Sequence, residues 1–425
     1  MTLDDWLDYI ERLHSREIEL GLARVAEVAD RLALRRLPCP VIMVAGTNGK
    51  GSTCTLIERL GRASGLRTAL YTSPHLFRFN ERICLDGEPV SDALLCQAFA
   101  DVEAARLTLP LTWFEFTTLV ALRVFSQAGI DLAVLEIGLG GRLDAVNLLD
   151  ADVAVVTSIG LDHQDWLGSD VEQIGGEKAA IARPGKPLVC GSADMPASVE
   201  QTAARCGATL LCAGADFTDA GAVLRWQDGS YPLPAKRLVP LGRDNLLTAI
   251  QALACLVPVS ASAIDRVAGS AMAGRCQQLV LAGNDWFFDV GHNREALARL
   301  LASLPPPRGR RLVLFAMLAD KPAQQVMTDF AATVDHWYLA GLSVSRGQSA
   351  ASLAGLLPEQ ASHCCANTVA EALARLRADQ AATDQVLVFG SFYTVAEAAA
   401  ALSVDLWQAA AMSWSNDKRG TYGFE

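Results

Sequence analysis

The sequence predicts an α/β protein built on parallel sheets that are covered on both faces. Near-continuous apolar runs rich in β-branched residues stand at 41–45 (VIMVA), 131–137 (DLAVLEI) and 152–158 (DVAVVTS), with helical patterns between them. Strands that are apolar on both faces belong to sheets flanked by helices. The first run opens into a glycine-rich turn, and a second strand–helix series begins near Asp285. At about 150 residues per domain, 425 residues predict two or three domains. A content of 51% hydrophobic and 20% charged residues fills large cores and excludes disorder along the whole length.

The N-terminal MTLDDWLDYIERLHSRE is acidic and amphipathic, which does not match an export signal. After the strand 41–45 come a helix over 52–64 and a strand over 67–72. Helices over 92–106 and 114–127 fill the longest gap before the strands 131–137 and 152–158. Between 214 and 240 short pieces with Gly, Pro and Trp226 predict a small β-rich excursion. Asp244 and Asn245 then suit the cap of a helix starting at Leu246. The uncharged stretch 246–264 has the length of a membrane span, but Thr248, Gln251, Pro258 and many alanines favour a buried helix stopping near Pro258. The second series has strands at 286–290, 312–317 and 386–389 and helices at 294–303 and 369–378, with Pro305-Pro306-Pro307 as a turn. The predicted domains are therefore 1–283 and 284–425, ending in a polar, frayed tail over 413–425. No internal repeat is present.

A formal charge of −11 without a basic run argues against nucleic-acid binding. Eleven scattered cysteines, with no CxxC pair, read as buried soft hydrophobes in a reducing cytoplasm rather than disulfides or a zinc site. The vicinal Cys364-Cys365 does not alter that.

The strongest local signal is Gly46-Thr47-Asn48-Gly49-Lys50-Gly51-Ser52, placed after a strand and opening a helix. Backbone amides and the helix dipole in such a turn attract phosphate, Lys50 reaches the β/γ-phosphates, and Ser52 suits a phosphate or Mg²⁺ contact. The match to the Walker pattern is imperfect: Val44 stands for the first Gly, and Gly51 separates Lys50 from Ser52. Glu136 at the end of DLAVLEI, Ser73 after the strand 67–72 and His163 after the strand 152–158 are candidate Mg²⁺ or Mn²⁺ ligands at one sheet edge. Each also has an ordinary reading, as a cap, a turn former or a satisfied histidine. Arg142 and Asp144 either pair with each other, which spacing favours, or bind substrate. Asp289 and His292 follow the first strand of the second series, where a helix cap is the commoner reading.

Together, GTNGKGS (46–52), SPHL (73–76), LEIGLGGRLDAVN (135–147), TSIGLDHQDWLG (157–168) and GEKAAIAR (176–183) have a recognisable order and spacing. GRCQ (274–277), DVGHN (289–293), MLADK (317–321) and GSFYTVAEA (390–398) continue it over nearly the whole chain. The chain resembles the bacterial bifunctional dihydrofolate synthase/folylpolyglutamate synthases of the Mur ligase superfamily. That resemblance implies a P-loop parallel-sheet ATPase domain of Mur ligase type, followed by a smaller Rossmann-like α/β domain. It implies Ser73 and Glu136 at one Mg²⁺ site, and His163, Glu136 and a carbamylated Lys178 at a second. On sequence alone Lys178 reads as a surface lysine of a helix over 171–182. The resemblance further implies ATP contacts from Asn245, Arg275 and Asp289, with His292 nearby. It places the pteroate against Thr112, Phe114, Leu143, Asp144 and Ala145. ATP, two Mg²⁺ and K⁺ are the implied cofactors. Two departures are small-for-small, Gly291 for Ala and Ala180 for Gly, and Glu19 stands for a commoner Asp.

The implied reaction joins L-glutamate to 7,8-dihydropteroate, or to the γ-carboxylate of a folate, through an acyl phosphate. Lys50, Arg82, Arg142 and Arg275 are candidates to concentrate positive charge for these anions. The implied protein is a cytoplasmic monomer working on small molecules, with no nucleic-acid or membrane partner. The alternatives are a folylpolyglutamate synthase alone, a Mur-type UDP-sugar peptide ligase or a P-loop nucleotide switch. The peptide ligase needs an N-terminal sugar domain where only about 40 residues precede the loop. The switch needs a guanine-recognition motif such as NKxD, which is absent from the sequence.

Overall fold

Five consecutive buried residues, Val41–Ala45, form β1 of an eight-stranded sheet. Its companions are β2 (Thr68–Tyr71), β3 (Ile83–Leu85), β4 (Glu88–Pro89), β5 (Leu132–Glu136), β6 (Val153–Val156), β7 (Pro187–Cys190) and β8 (Thr209–Cys212). The order is β4-β3-β2-β5-β1-β6-β7-β8. The strands β2, β5, β1, β6, β7 and β8 run parallel, and β3 and β4 add an antiparallel edge. The computed structural model describes residues 1–14, 18–415 and 423–424.

The helix Lys50–Ala63 leaves β1 through the glycine turn. The helices Asp92–Arg106 and Trp113–Gln127 occupy the predicted gap. Burial extends through Phe99, Phe116, Leu119, Val120 and Phe125 on these two helices, together with Trp6 and Ile10 from the N-terminal helix. β7 and β8 were not predicted. β7 begins with a proline, and β8 is a half-exposed edge strand of four residues. The predicted β-rich excursion is a three-stranded antiparallel sheet of β9 (Thr218–Asp219), β10 (Val223–Trp226) and β11 (Gly229–Pro232).

The helix expected to start at Leu246 begins one turn earlier and spans Arg243–Ala254, with Gly242 as its N-cap. Asp244 and Asn245 thus lie inside its first turn rather than capping it. Asn245 donates to the Leu241 carbonyl at 2.6 Å and accepts from the Thr53 hydroxyl at 3.3 Å. The uncharged stretch breaks at Ala254 and resumes as Ala261–Val267, capped by Ser260. Among the described residues no helix is long and apolar enough to cross a membrane. All eleven cysteines are free.

Contacts divide the chain into two units, Met1–Ala268 and Gly269–Glu425. The second holds β12 (Gln277–Leu281), β13 (Asn284–Asp289), β14 (Arg311–Phe315), β15 (His336–Ala340), β16 (His363–Ala366), β17 (Gln385–Phe389) and β18 (Gly423–Phe424). Their order is β16-β15-β14-β17-β13-β12-β18, parallel from β13 to β16, with β12 antiparallel to β13. The expected junction at 282–285 falls in the turn between β12 and β13. That hairpin binds β12 into the second sheet, so the second unit starts upstream of it. The expected frayed tail covers the helix as far as Ser415 and β18, and otherwise lies outside the described residues.

Phe389 on β17 centres the aromatic core of the second unit, 4.8 Å from the Phe330 ring, 5.1 Å from Phe315 and 6.4 Å from Trp337. Phe389→Ala removes a fully buried ring with little room for collapse. It is expected to cost about 3–5 kcal/mol in urea unfolding followed by Trp337 fluorescence; a loss below about 1 kcal/mol would contradict this packing.

Candidate active site

The turn after β1 is held in shape from behind. Gly46 has φ +150°, and a Cβ there would lie 1.9 Å from Thr157 Oγ1. Gly49 has φ +88°, and its Cβ would lie 2.6 Å from Asn245 Oδ1. Only glycine fits either position. The segment following β6 clamps the turn: Thr47 N donates to the Ser158 carbonyl at 2.7 Å, and the Thr157 and Ser158 hydroxyls donate to the Asn48 carbonyl at 2.7 and 3.0 Å. Lys50, Gly51 and Ser52 open the following helix, so their amides belong to the N-terminal set with no intrahelical acceptor. This is a preorganised anion site.

Two lysines share one acceptor in this turn. Lys50 Nζ donates to the Gly46 carbonyl at 3.1 Å, and Lys178 Nζ donates to the same oxygen at 2.9 Å. Lys178 is not a surface residue; it is only 5% exposed. Its helix, Val171–Ala179, is drawn in by the glycine loop after β5. A Cβ on Gly141 would lie 2.5 Å from the Glu177 carbonyl, and Arg142 N donates to that carbonyl at 3.1 Å. Burial, reinforced by the Lys50 charge, lowers the Lys178 ammonium to a pKa of about 7, against the opposing pull of Asp162 and Asp144.

Glu136 ends β5 directly beside Val44 of β1 and is buried. Its Oε2 accepts from Ser73 N at 2.9 Å, so β2 and β5 bring the two predicted ligands into contact. His163 has φ +51° and precedes the short helix Gln164–Leu167. Its ring is half-exposed, with Nε2 3.8 Å from Asp162 Oδ2. Among the described residues no three His, Cys, Asp or Glu side chains gather as a metal cluster. A hard cation here would take Glu136 together with hydroxyl and phosphate oxygens, and that donor set fits Mg²⁺ or Mn²⁺.

Arg142 and Asp144 do not pair as spacing favoured. Arg142 Nε reaches Glu177 Oε1 at 2.8 Å. Asp144 is buried and accepts from Leu139 N and Val146 N, both at 2.9 Å, fixing the loop that carries Leu143 and leads into Ala145. Burial raises its pKa to about 6, partly offset by those amide bonds. Thr112 caps the helix Trp113–Gln127 through a reciprocal pair with Glu115. Phe114 lies against Gly138, where a Cβ would sit 2.5 Å from its ring. Glu115 is bound in turn by Arg24 at 3.1 Å, and Arg24 also pairs with Glu19. No local pattern announces this link across 91 residues. Thr157 and Ser158 were also missed as clamps, because a threonine and a serine after a strand read as ordinary turn formers.

In the second unit, Asp289 ends β13 and accepts from Cys276 N at 2.7 Å and Gly291 N at 2.6 Å. Burial raises its pKa in spite of Arg275 nearby. Arg275 lies 5.3 Å from the Phe392 ring. His292 Nδ1 is 3.1 Å from the Val290 carbonyl. The cap of the helix Arg294–Ser303 is Asn293, not Asp289 or His292.

Residues 44–206 match the Mur ligase middle domain, and residues 274–392 match the Mur ligase glutamate ligase domain. The dihydrofolate synthase/folylpolyglutamate synthase of Escherichia coli is 43% identical over 93% of this chain and 94% of its own. The E. coli FolC structure in complex with DHPP and ADP superposes with a TM-score of 0.88 at 41% identity, covering 95% of this chain and 98% of that one. The Yersinia pestis folylpolyglutamate synthase/dihydrofolate synthase complexed with AMPPNP and Mn ion has a TM-score of 0.88 at 40% identity, covering 95% and 98%.

Gly46→Ala is expected to abolish AMPPNP binding in calorimetry while the circular dichroism spectrum stays unchanged; wild-type affinity would contradict the clamp. In ¹³Cε-lysine NMR, Lys178 is expected to titrate near pH 7. It is charged below that pH and a neutral amine above it. In Lys50→Ala the midpoint rises, because a like charge is gone. An ordinary lysine titration in the wild type would contradict the burial argument.

Proposed function

The chain belongs to the dihydrofolate synthase/folylpolyglutamate synthase family of Mur-type ligases, and we propose that its phosphate loop, its two buried-side lysines and Glu136 carry that family's reaction here. It is an ATP-dependent glutamate ligase of folate metabolism that uses a divalent cation. The reaction forms an amide between the amine of L-glutamate and the carboxylate of dihydropteroate or a folate. Direct condensation fails at neutral pH, because the acid is ionised and hydroxide is a poor leaving group. Transfer of the γ-phosphoryl to a carboxylate oxygen gives an acyl phosphate; the glutamate amine then attacks the carbonyl carbon, phosphate leaves, and the amine loses its proton.

The observation that carries this reading is the pair of lysines on the Gly46 carbonyl. Lys50 is positioned to turn from that carbonyl to the β/γ-phosphates, while Gly46, Thr47, Asn48, Gly49, Gly51 and Ser52 present the turn and helix amides. Glu136, with Ser73, would hold a first divalent ion, and Glu136, His163 and a carbamate on Lys178 a second. Held by these residues, the ions would supply positive charge against the phosphate oxygens. Lys178 is suited to the carbamate because a neutral amine adds to CO₂: an N–C bond forms, an N–H proton leaves, and a cation becomes an anionic oxygen donor. Within the first unit Asn245 is a further nucleotide contact, and within the second unit Arg275, Asp289 and His292 are nucleotide contacts by the family resemblance. Phe114, Leu143 and Ala145 receive the pteroate beside Thr112 and Asp144. The first unit, Met1–Ala268, supplies the phosphate-loop and pterin contacts and the second, Gly269–Glu425, the glutamate ligase part, in a cytoplasmic monomer acting on small molecules without nucleic acid.

Phosphate release assayed with dihydropteroate plus glutamate, and separately with tetrahydrofolate plus glutamate, is expected to exceed the ATP-only rate in both cases. No stimulation by either pair would overturn the ligase reading. Lys178→Ala is expected to lower kcat by about 100-fold or more, with partial rescue by added short carboxylates; a fully active variant would refute the carbamate.

A further inference from the structure

One buried cation near Glu136 takes no part in the site described so far. Arg82 ends the short 3₁₀ turn Phe79–Arg82 and is only 8% exposed. Its Nε donates to His75 Nδ1 at 2.8 Å, and its guanidinium lies 4.6 Å from the centre of the Trp113 ring. Among the described residues, Nη1 and Nη2 have no hydrogen-bond partner. The neighbouring acids do not take them. Glu81 spends its carboxylate on the amides of Leu76, Phe77 and Arg78 at 2.7–2.9 Å. The charge of Glu136 also acts on Arg82. Neither amino group is among the wholly buried atoms left without a partner, so both reach the accessible surface while the rest of the guanidinium is held, an arrangement open to an arriving anion. His75 and Trp113 fix its plane, as recognition of a carboxylate by Arg requires.

We propose that Arg82 is the anchor for the reacting carboxylate of the acceptor, with His75 and Trp113 as its positioning residues. The proposal rests on the ligase reading above and adds a substrate contact to it. Arg82 binds the carboxylate oxygen that does not attack phosphorus, leaving the other free to form the new P–O bond. The held oxygen becomes the carbonyl oxygen of the acyl phosphate. It then carries the negative charge when the glutamate amine adds, so the same contact serves both steps. Trp113 and Phe114 lie on adjacent positions of one helix start, and Phe114 is 6.2 Å from the Tyr71 ring. That aromatic surround suits an acid borne on an aryl ring.

The test compares dihydropteroate with its decarboxylated analogue, in which hydrogen replaces the carboxylate. Dissociation constants are measured by calorimetry with AMPPNP and Mg²⁺ present, on the wild type, Arg82→Gln and Arg82→Lys. The wild type is expected to prefer the acid by about 10- to 100-fold, Arg82→Gln to bind both equally, and Arg82→Lys to keep part of the preference. AMPPNP affinity is expected to be unchanged in both variants. A wild-type ratio near one overturns the proposal without any variant. So does an Arg82→Gln protein that keeps the wild-type ratio, including one whose only defect is weaker Mn²⁺ binding, since Arg82 then merely balances Glu136. Failure of both ligands to bind the wild type overturns the folate-ligase reading instead, which separates the two claims.

Discussion

Two ammonium groups meet at one backbone carbonyl, and the rest of the first unit is arranged around that meeting. Lys50 and Lys178 both donate to the Gly46 oxygen, one from the helix after the loop and one from a helix 128 positions later in the numbering. Like charges so close raise each other's energy, and one of them is buried. Two outcomes relieve it: an anion arrives, or one lysine gives up its proton. Both outcomes are chemically useful, because the first is nucleotide binding and the second makes Lys178 a nucleophile towards CO₂.

The glycines enforce the meeting. Gly46 and Gly49 let the turn lie against Thr157 and Asn245, and Gly141 lets the loop after β5 touch the backbone of the Lys178 helix. Asp144 then ties that loop by two amide bonds. Its raised pKa means the folded state favours the protonated form more than the unfolded chain does, so Asp144 opposes folding as pH rises through about 6. Stability is given up there to hold a loop that positions Leu143 and Ala145. Glu136 and Arg82 are likewise buried, each tied to a neighbour, Glu136 to the Ser73 amide and Arg82 to His75.

Much of this was legible in the sequence. Parallel strands buried on both faces gave unbroken apolar runs, so β1, β5 and β6 were found within two residues at each end. Among the strands that escaped notice, the edges β8 and β16 are short and partly exposed and carry little apolar signal. By contrast, β7 and β15 are interior and buried but begin with a proline and a histidine that interrupt the apolar run. In the site, the turn residues were readable because their chemistry is local. The depth of Lys178 was not, since it depends on Gly141 packing from another part of the chain. The predicted Arg142–Asp144 pair failed for a related reason: two neighbours in sequence face different partners once the loop folds. Arg82 was visible as a charge, but its bond to His75 and its place over Trp113 belong to tertiary structure alone.

Anomalous diffraction from Mn²⁺ in crystals of this protein grown with AMPPNP tests the central claim most directly. The account predicts a manganese peak bonded to the Glu136 carboxylate and to a nucleotide phosphate oxygen, with Lys50 Nζ moved from the Gly46 carbonyl to the phosphates. A nucleotide bound away from residues 46–52, or manganese remote from Glu136 with Lys50 still on Gly46, would contradict it.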